Sequence, residues 1–131
     1  MIEQPGPDRH GTVAISATIA IGLMIGAQIL RAIEGMEGAA RVVLHHQERF
    51  DGRRDGRYPG YPAGLSGEEI PLGSRIIAVV DAFDATTSDR PYRKRLSHED
   101  AVGELRRESG EQFDPRVVET SLGLIAERSW G

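Results

Sequence analysis

Apolar positions in this chain recur at helical spacing in long blocks, and the blocks are separated by breaks rich in Gly and Pro. Residues 11–30, GTVAISATIAIGLMIGAQIL, carry no charged side chain. That run is long enough to be a transmembrane candidate, and Gly22 and Gly26 give it a small-xxx-small spacing. Gly11, Ser16, Thr18 and Gln28 dilute it, however, and Arg31 follows without a basic or aromatic belt. The expectation is a buried core helix, with a membrane segment unfavoured. A second helix is expected from about Met36 to Phe50, with Met36, Ala40, Val43 and Leu44 on its apolar stripe. Residues 51–72 hold Gly52, Gly56, Gly60, Gly64 and Gly67 with Pro59, Pro62 and Pro71, so they read as a long loop without regular structure. A loop of that length inside a compact domain is usually functional.

A third helix is predicted from about Ser74 to Ser88, burying Ile76, Ile77, Val80, Phe83 and Ala85. Asp81 and Asp84 stand three residues apart and share one of its faces. Pro91 ends it. The fourth helix starts at Ser97, a good N-cap with Asp100 at the capping-box position, and Gly110 is its natural stop. The fifth begins with Asp114 as N-cap and Pro115 at the first helical position. It continues through Val117, Val118, Leu122 and Ile125 to about Arg128. No strand is needed. The fold class is therefore all-α, a bundle of about five helices with one long loop. Residues 1–10 read as a disordered N-terminus, and 11–131 as one domain.

At 131 residues, with 39% apolar and 27% charged side chains, the chain suits a single modest core. Only 5% of residues are aromatic, so the core must rest on Ile, Val, Leu and Ala, which favours helix-on-helix packing. There is no cysteine, which excludes disulfides and thiolate metal sites and leaves any metal to His, Asp or Glu. The first ten residues are polar and do not form a secretory signal, so a cytoplasmic location is expected. The net charge of −4 speaks against a nucleic-acid polymer as partner. Arg90, Arg93, Lys94 and Arg95 nevertheless cluster, as do Arg53, Arg54 and Arg57. Local cations on an acidic chain suit a small phosphate ligand.

Four segments stand in order: His45-His46-Gln47-Glu48-Arg49, then Gly60-Tyr61-Pro62, then Val80-Asp81-Ala82-Phe83-Asp84-Ala85, then Ser88-Asp89-Arg90-Pro91-Tyr92-Arg93. Imidazole and carboxylate are the usual ligands of Zn, Mn and Fe where thiols are absent. A His pair on one helix and an Asp pair on another can meet across a helix interface, as metal sites in bundles do. Arg90 and Arg93 can hold phosphate oxygens bidentately. A metal beside a clamped phosphodiester is a hydrolase arrangement. The bland alternatives are a packed or solvated His pair and a solvated basic turn, with Arg90 capping the third helix and Asp84 bonding Ser88 or Arg90.

Together these segments resemble the HD-GYP family of HD phosphohydrolases. The loop holds the Gly-Tyr-Pro of the family name. IIAVVDAFDATTSDRPYRKRLS (76–97) is close to the pattern around the family's last metal-ligating Asp. QFDP (112–115) matches the start of its closing helix, and IGAQIL (25–30) resembles the helix before the His pair. The resemblance covers about residues 21–127. It implies the C-terminal part of an HD-type all-helical domain, a site for two or three divalent ions of Fe, Mn or Zn, and hydrolysis of cyclic di-GMP.

Residue by residue, Asp81 falls on the last metal-ligand Asp, and His46 on the first His of the HHE motif, with Glu48 as its Glu. The second His of that motif falls on Gln47. In the alternative register His45 and His46 are the pair. Arg90 and Arg93 match positions that meet the nucleotide phosphates, and Tyr61 belongs to the substrate loop. Asp84 and Glu48 are assigned around the ligands, not on the ion. Gly22 stands where a further His is expected, and the His-Asp dipeptide is absent. Seven residues separate Asp51-Gly52 from Gly60-Tyr61-Pro62, where the family has one. The expected function is a metal-dependent phosphohydrolase module related to cyclic di-GMP phosphodiesterases, truncated and catalytically impaired. The alternative is a non-catalytic module of bacterial signalling that binds a small nucleotide or a signalling protein.

Overall fold

The computed structural model describes residues 21–56, 58–89, 91 and 94–127. Among them the chain is helical at 21–31 (α1), then at Glu37–His45 (α2), Leu72–Thr87 (α3), His98–Arg107 (α4) and Pro115–Glu127 (α5), with a short 3-10 turn at Gly67–Glu69. No strand occurs among the described residues; the nearest thing is an isolated bridge between Ser109 and Phe113. The all-α bundle expected from the periodicity is therefore what forms. Residues 1–10, and the first half of the uncharged run, lie outside the described residues. No helix among the described residues is long and apolar enough to cross a membrane.

The core lies where α3, α4 and α5 meet. Val79, Ala82, Leu105, Phe113 and Val118 are its buried members, with Ala78, Phe83, Val117 and Leu122 packed against them. The Phe83 ring leans on His98 with centroids 5.6 Å apart. Two of the caps read from the sequence hold. Ser97 Oγ accepts from the Asp100 amide at 3.1 Å. Asp114 Oδ1 accepts from the Arg116 amide at 2.8 Å, which satisfies an orphan donor of the first turn of α5. Asp114 also binds Arg75 of α3, with Nη1 donating to Oδ2 at 2.7 Å. Arg75 Nε donates to the Ile70 carbonyl at 2.9 Å, so one guanidinium ties the end of the loop, α3 and α5 together.

α2 crosses α3 closely. A Cβ on Gly73 would stand 2.8 Å from Val42 Cγ2, so this glycine is needed for the approach. The neighbouring Ser74, fully buried, donates from Oγ to the Val42 carbonyl at 2.7 Å.

Four expectations need correction. α1 is not a buried core helix over its described length. Ala27 is buried, with Leu23, Gly26 and Leu30 partly so, while Ile21, Met24, Ile25 and Ile29 are 51–60% exposed. An uncharged run does not say which face is covered, and the rest of the described chain covers a narrow stripe of it. On α3 the buried positions are Ser74, Val79, Ala82 and Ala85, whereas Ile76 and Val80 are 44% and 56% exposed. The helix is apolar on more than one face, so periodicity leaves its rotation open. Finally, α2 stops at His45, five residues short of Phe50. The Glu48 amide turns back to the His45 carbonyl, and the Phe50 and Asp51 amides then pair with the Gln112 and Glu111 carbonyls at 3.0 and 2.8 Å. The loop is also less irregular than expected, because Ser66 and Glu69 form a capping box around the 3-10 turn.

Candidate metal and nucleotide site

The early end of α2 decides the geometry of the site. His46 sits at the C-cap of that helix, and its Nδ1 lies 2.7 Å from the Val43 carbonyl. A carbonyl only accepts, so Nδ1 donates, and in the neutral ring Nε2 is the nitrogen left with a lone pair. Nε2 lies 3.9 Å from Asp81 Oδ2 on α3, and 3.5 Å from the Gln47 amide nitrogen. The Ser74–Val42 bond and the Gly73 contact hold the two helices at this crossing. The sequence-predicted pair His46 and Asp81 is thus brought together across α2 and α3. The imidazole is mostly buried and the carboxylate is 54% exposed.

His45 turns the other way. Its Nδ1 donates to Glu48 Oε2 at 2.8 Å. Glu48 is buried and accepts three further bonds, from the Ala63, Gly64 and Leu65 amides at 3.0, 2.8 and 3.2 Å. Tyr61 is half-buried, and its amide donates to the Gln47 carbonyl at 3.3 Å. Burial pushes its phenol above the usual tyrosine range. The Tyr61–Pro62 peptide is cis. Asp84 is exposed on α3, one turn beyond Asp81. Arg90 and Arg93, expected at the phosphates, lie outside the described residues.

The inserted stretch of the loop is tied down by Arg49. Its Nε and Nη2 hold Asp51 bidentately at 3.0 and 2.9 Å, and Nη1 donates to the Tyr58 carbonyl at 3.1 Å. Burial alone would push the Asp51 carboxyl up, but the Arg49 guanidinium and the Arg53 amide outweigh it and hold it below the usual carboxylate range. Gly60 packs so closely that a Cβ there would stand 2.7 Å from the Arg49 nitrogen. The Arg54 side chain donates to the Pro62 carbonyl at 3.1 Å. The Gly-Tyr-Pro segment is therefore seated despite the longer loop. Sequence reasoning missed what seats it: Arg49 with Asp51, and Glu48 under the loop.

A pocket between α3, α4 and the loop is lined by Tyr58, Thr86, Leu96, Leu105 and Phe113 among others, and none of the candidate site residues among the described ones lines it.

Bonds of about 2.0–2.2 Å set two ligands of a tetrahedral ion about 3.4 Å apart, so His46 Nε2 and Asp81 Oδ2, at 3.9 Å, would close by about 0.5 Å to share one. A catalytic ion takes about three protein ligands plus water. Among the described residues, no group of three or more His, Cys, Asp or Glu converges. The described residues thus bring two donors close together and no third beside them.

The HD domain family profile matches residues 23–117. A cyclic di-GMP phosphodiesterase response regulator of Xanthomonas campestris is 41% identical over 100 residues, which cover 75% of this chain and 25% of that protein. A cyclic di-GMP phosphodiesterase of Thermotoga maritima is 43% identical over 88 residues, covering 67% of this chain and 22% of that one. Among solved structures, a cyclic GMP-AMP specific phosphodiesterase of V. cholerae matches with a TM-score of 0.66 and 30% identity, over 79% of this chain and 22% of that chain. This chain thus spans about a quarter of the length of such relatives.

Proposed function

The chain belongs to the HD domain family, and from that premise we propose that it is a phosphohydrolase module for cyclic di-GMP or a related cyclic dinucleotide, with His46 and Asp81 as two ligands of one divalent ion. The observation that carries the reading is the 3.9 Å approach of an oriented imidazole lone pair to a carboxylate. The substrate class comes from the relatives, which are cyclic di-GMP and 3'3'-cGAMP phosphodiesterases. The ion is Fe, Mn or Zn, given a donor set of nitrogen and oxygen. When bound, it supplies Lewis-acid activation of a phosphodiester. The protein's own parts are to hold the ion and to seat Tyr61, Arg90 and Arg93 toward the nucleotide, with Asp84 and Glu48 supporting the residues around it.

Turnover requires at least one donor beyond the two. Without it, the module binds nucleotide with little or no hydrolysis. That second reading is a non-catalytic nucleotide- or protein-binding role in cytoplasmic bacterial signalling; His46 and Asp81 are the donors that approach each other among the described residues. Calorimetry with cyclic di-GMP in the presence of Mn2+, followed by chromatography of products, tests the proposal. Saturable binding supports it, and turnover separates the catalytic from the binding form. No binding of either cyclic di-GMP or cyclic GMP-AMP overturns it.

A further inference from the structure

The Glu48 side chain is 0% exposed, yet it is an acidic group in a turn with no apolar reason to be there. Burying a carboxylate is costly unless its oxygens are satisfied. Here they are. Oε2 accepts from His45 Nδ1 at 2.8 Å and from the Ala63 amide at 3.0 Å. Oε1 accepts from the Gly64 and Leu65 amides at 2.8 and 3.2 Å. A carboxylate has about four lone-pair positions, and this one uses its full capacity.

Three successive backbone amides aimed at one anion form a nest, a concavity that ordinarily receives phosphate. Gly64, at φ +75°, supplies the left-handed residue such a nest needs. In this chain the nest is filled from inside, by a residue sixteen positions earlier.

The place of this nest gives it a purpose. It begins two residues after Tyr61, whose amide is held by the Gln47 carbonyl. Tyr61 and Pro62 are thus pinned on one side by Gln47 and on the other by Glu48. Both anchors belong to the turn that aims His46 at Asp81. We propose that Glu48 is a positioning residue: the amides of residues 63–65 close around its carboxylate and lock the Gly-Tyr-Pro segment to the His46 turn. The clamp stands on geometry alone. What Tyr61 then meets rests on the phosphohydrolase reading.

Glu48→Gln tests it. The substitution keeps size and one accepting oxygen, but turns the other into a donor facing a donor. Amide exchange at residues 63–65 should rise by about 100-fold, while the amides of α4 and α5 keep their protection. Cyclic di-GMP affinity should fall about 10-fold. Unaltered exchange at 63–65 overturns the clamp, and so does a loss of protection spread evenly over α4 and α5. Should the variant fail to fold, the wild type decides: its 63–65 amides must exchange about 100-fold more slowly than those of Arg54 and Asp55 in the same loop. Absence of nucleotide binding by the wild type defeats the phosphohydrolase reading but leaves the exchange result to judge the clamp.

Discussion

Asp114→Ala should be among the costliest single changes in this protein, and the structure gives the reason. The Asp114 side chain is 2% exposed and does two jobs, capping α5 through the Arg116 amide and holding Arg75 at 2.7 Å. Losing an N-cap costs about 1 kcal/mol. Removing one partner of a buried pair, which strands the other charge, costs about 3–5 kcal/mol. Arg75 keeps its bond to the Ile70 carbonyl and a side chain 10% exposed, so water recovers part of that loss. A combined cost of about 3–4 kcal/mol follows. Against a total stability of about 5–15 kcal/mol, that leaves a marginal protein. Urea unfolding followed by circular dichroism measures it. With a slope of about 2 kcal/mol per molar, the midpoint should fall by about 1.5–2 M. Asp114→Asn keeps a capping oxygen and should recover about 1 kcal/mol. In the Asp114→Ala background, Arg75→Met should cost clearly less than in the wild type, because the stranded charge goes with it. A loss below about 1 kcal/mol for Asp114→Ala, or simple additivity in the cycle, would refute the reasoning.

Leu105, 2% exposed in the core between α3, α4 and α5, should cost about 2–5 kcal/mol on change to Ala, read from the same urea midpoint. Asp114 also predicts the pH response. Burial pushes its carboxyl up, but the Arg75 guanidinium and the Arg116 and Val117 amides outweigh this and hold it below the ordinary value. A carboxyl depressed in the folded state contributes stability above its unfolded value of about 4, and loses it as pH falls through the folded value. Thermal unfolding should therefore hold a plateau above about pH 5 and fall steeply below about pH 4, and Asp114→Asn should flatten that fall. Ser97→Ala removes the cap of α4 and should lower stability by about 1 kcal/mol, with a matching drop in melting temperature.

Much of this fold is legible in the sequence because its signals are local. Ser97, Asp114 and Pro115 mark helix starts that any observer of capping chemistry can place, and the density of Gly and Pro fixes the loop. What escapes is set by tertiary contact. Ile76 and Val80 look like core on an apolar helix, yet the partner helices cover Val79 and Ala82 instead, since packing chooses among several apolar faces. The end of α2 at His45 is written in no breaker residue. It follows from Phe50 and Asp51 pairing with Gln112 and Glu111, sixty residues away in sequence. The candidate site divides in the same way. His46 and Asp81 are singled out by the family resemblance, and they lie 3.9 Å apart. The roles of Ser74, Gly73 and Arg49 depend on partners that no local pattern reveals.

One divalent ion held between α2 and α3 is the proposed centre of the site. Calorimetric titration of Mn2+ into the wild type, His46→Ala and Asp81→Ala measures that directly. Saturable binding by the wild type, with both variants weakened at least about 10-fold, is the predicted result, since each removes one of two coordinate bonds to the metal. Wild-type affinity retained in either variant, or no binding by the wild type, would contradict it.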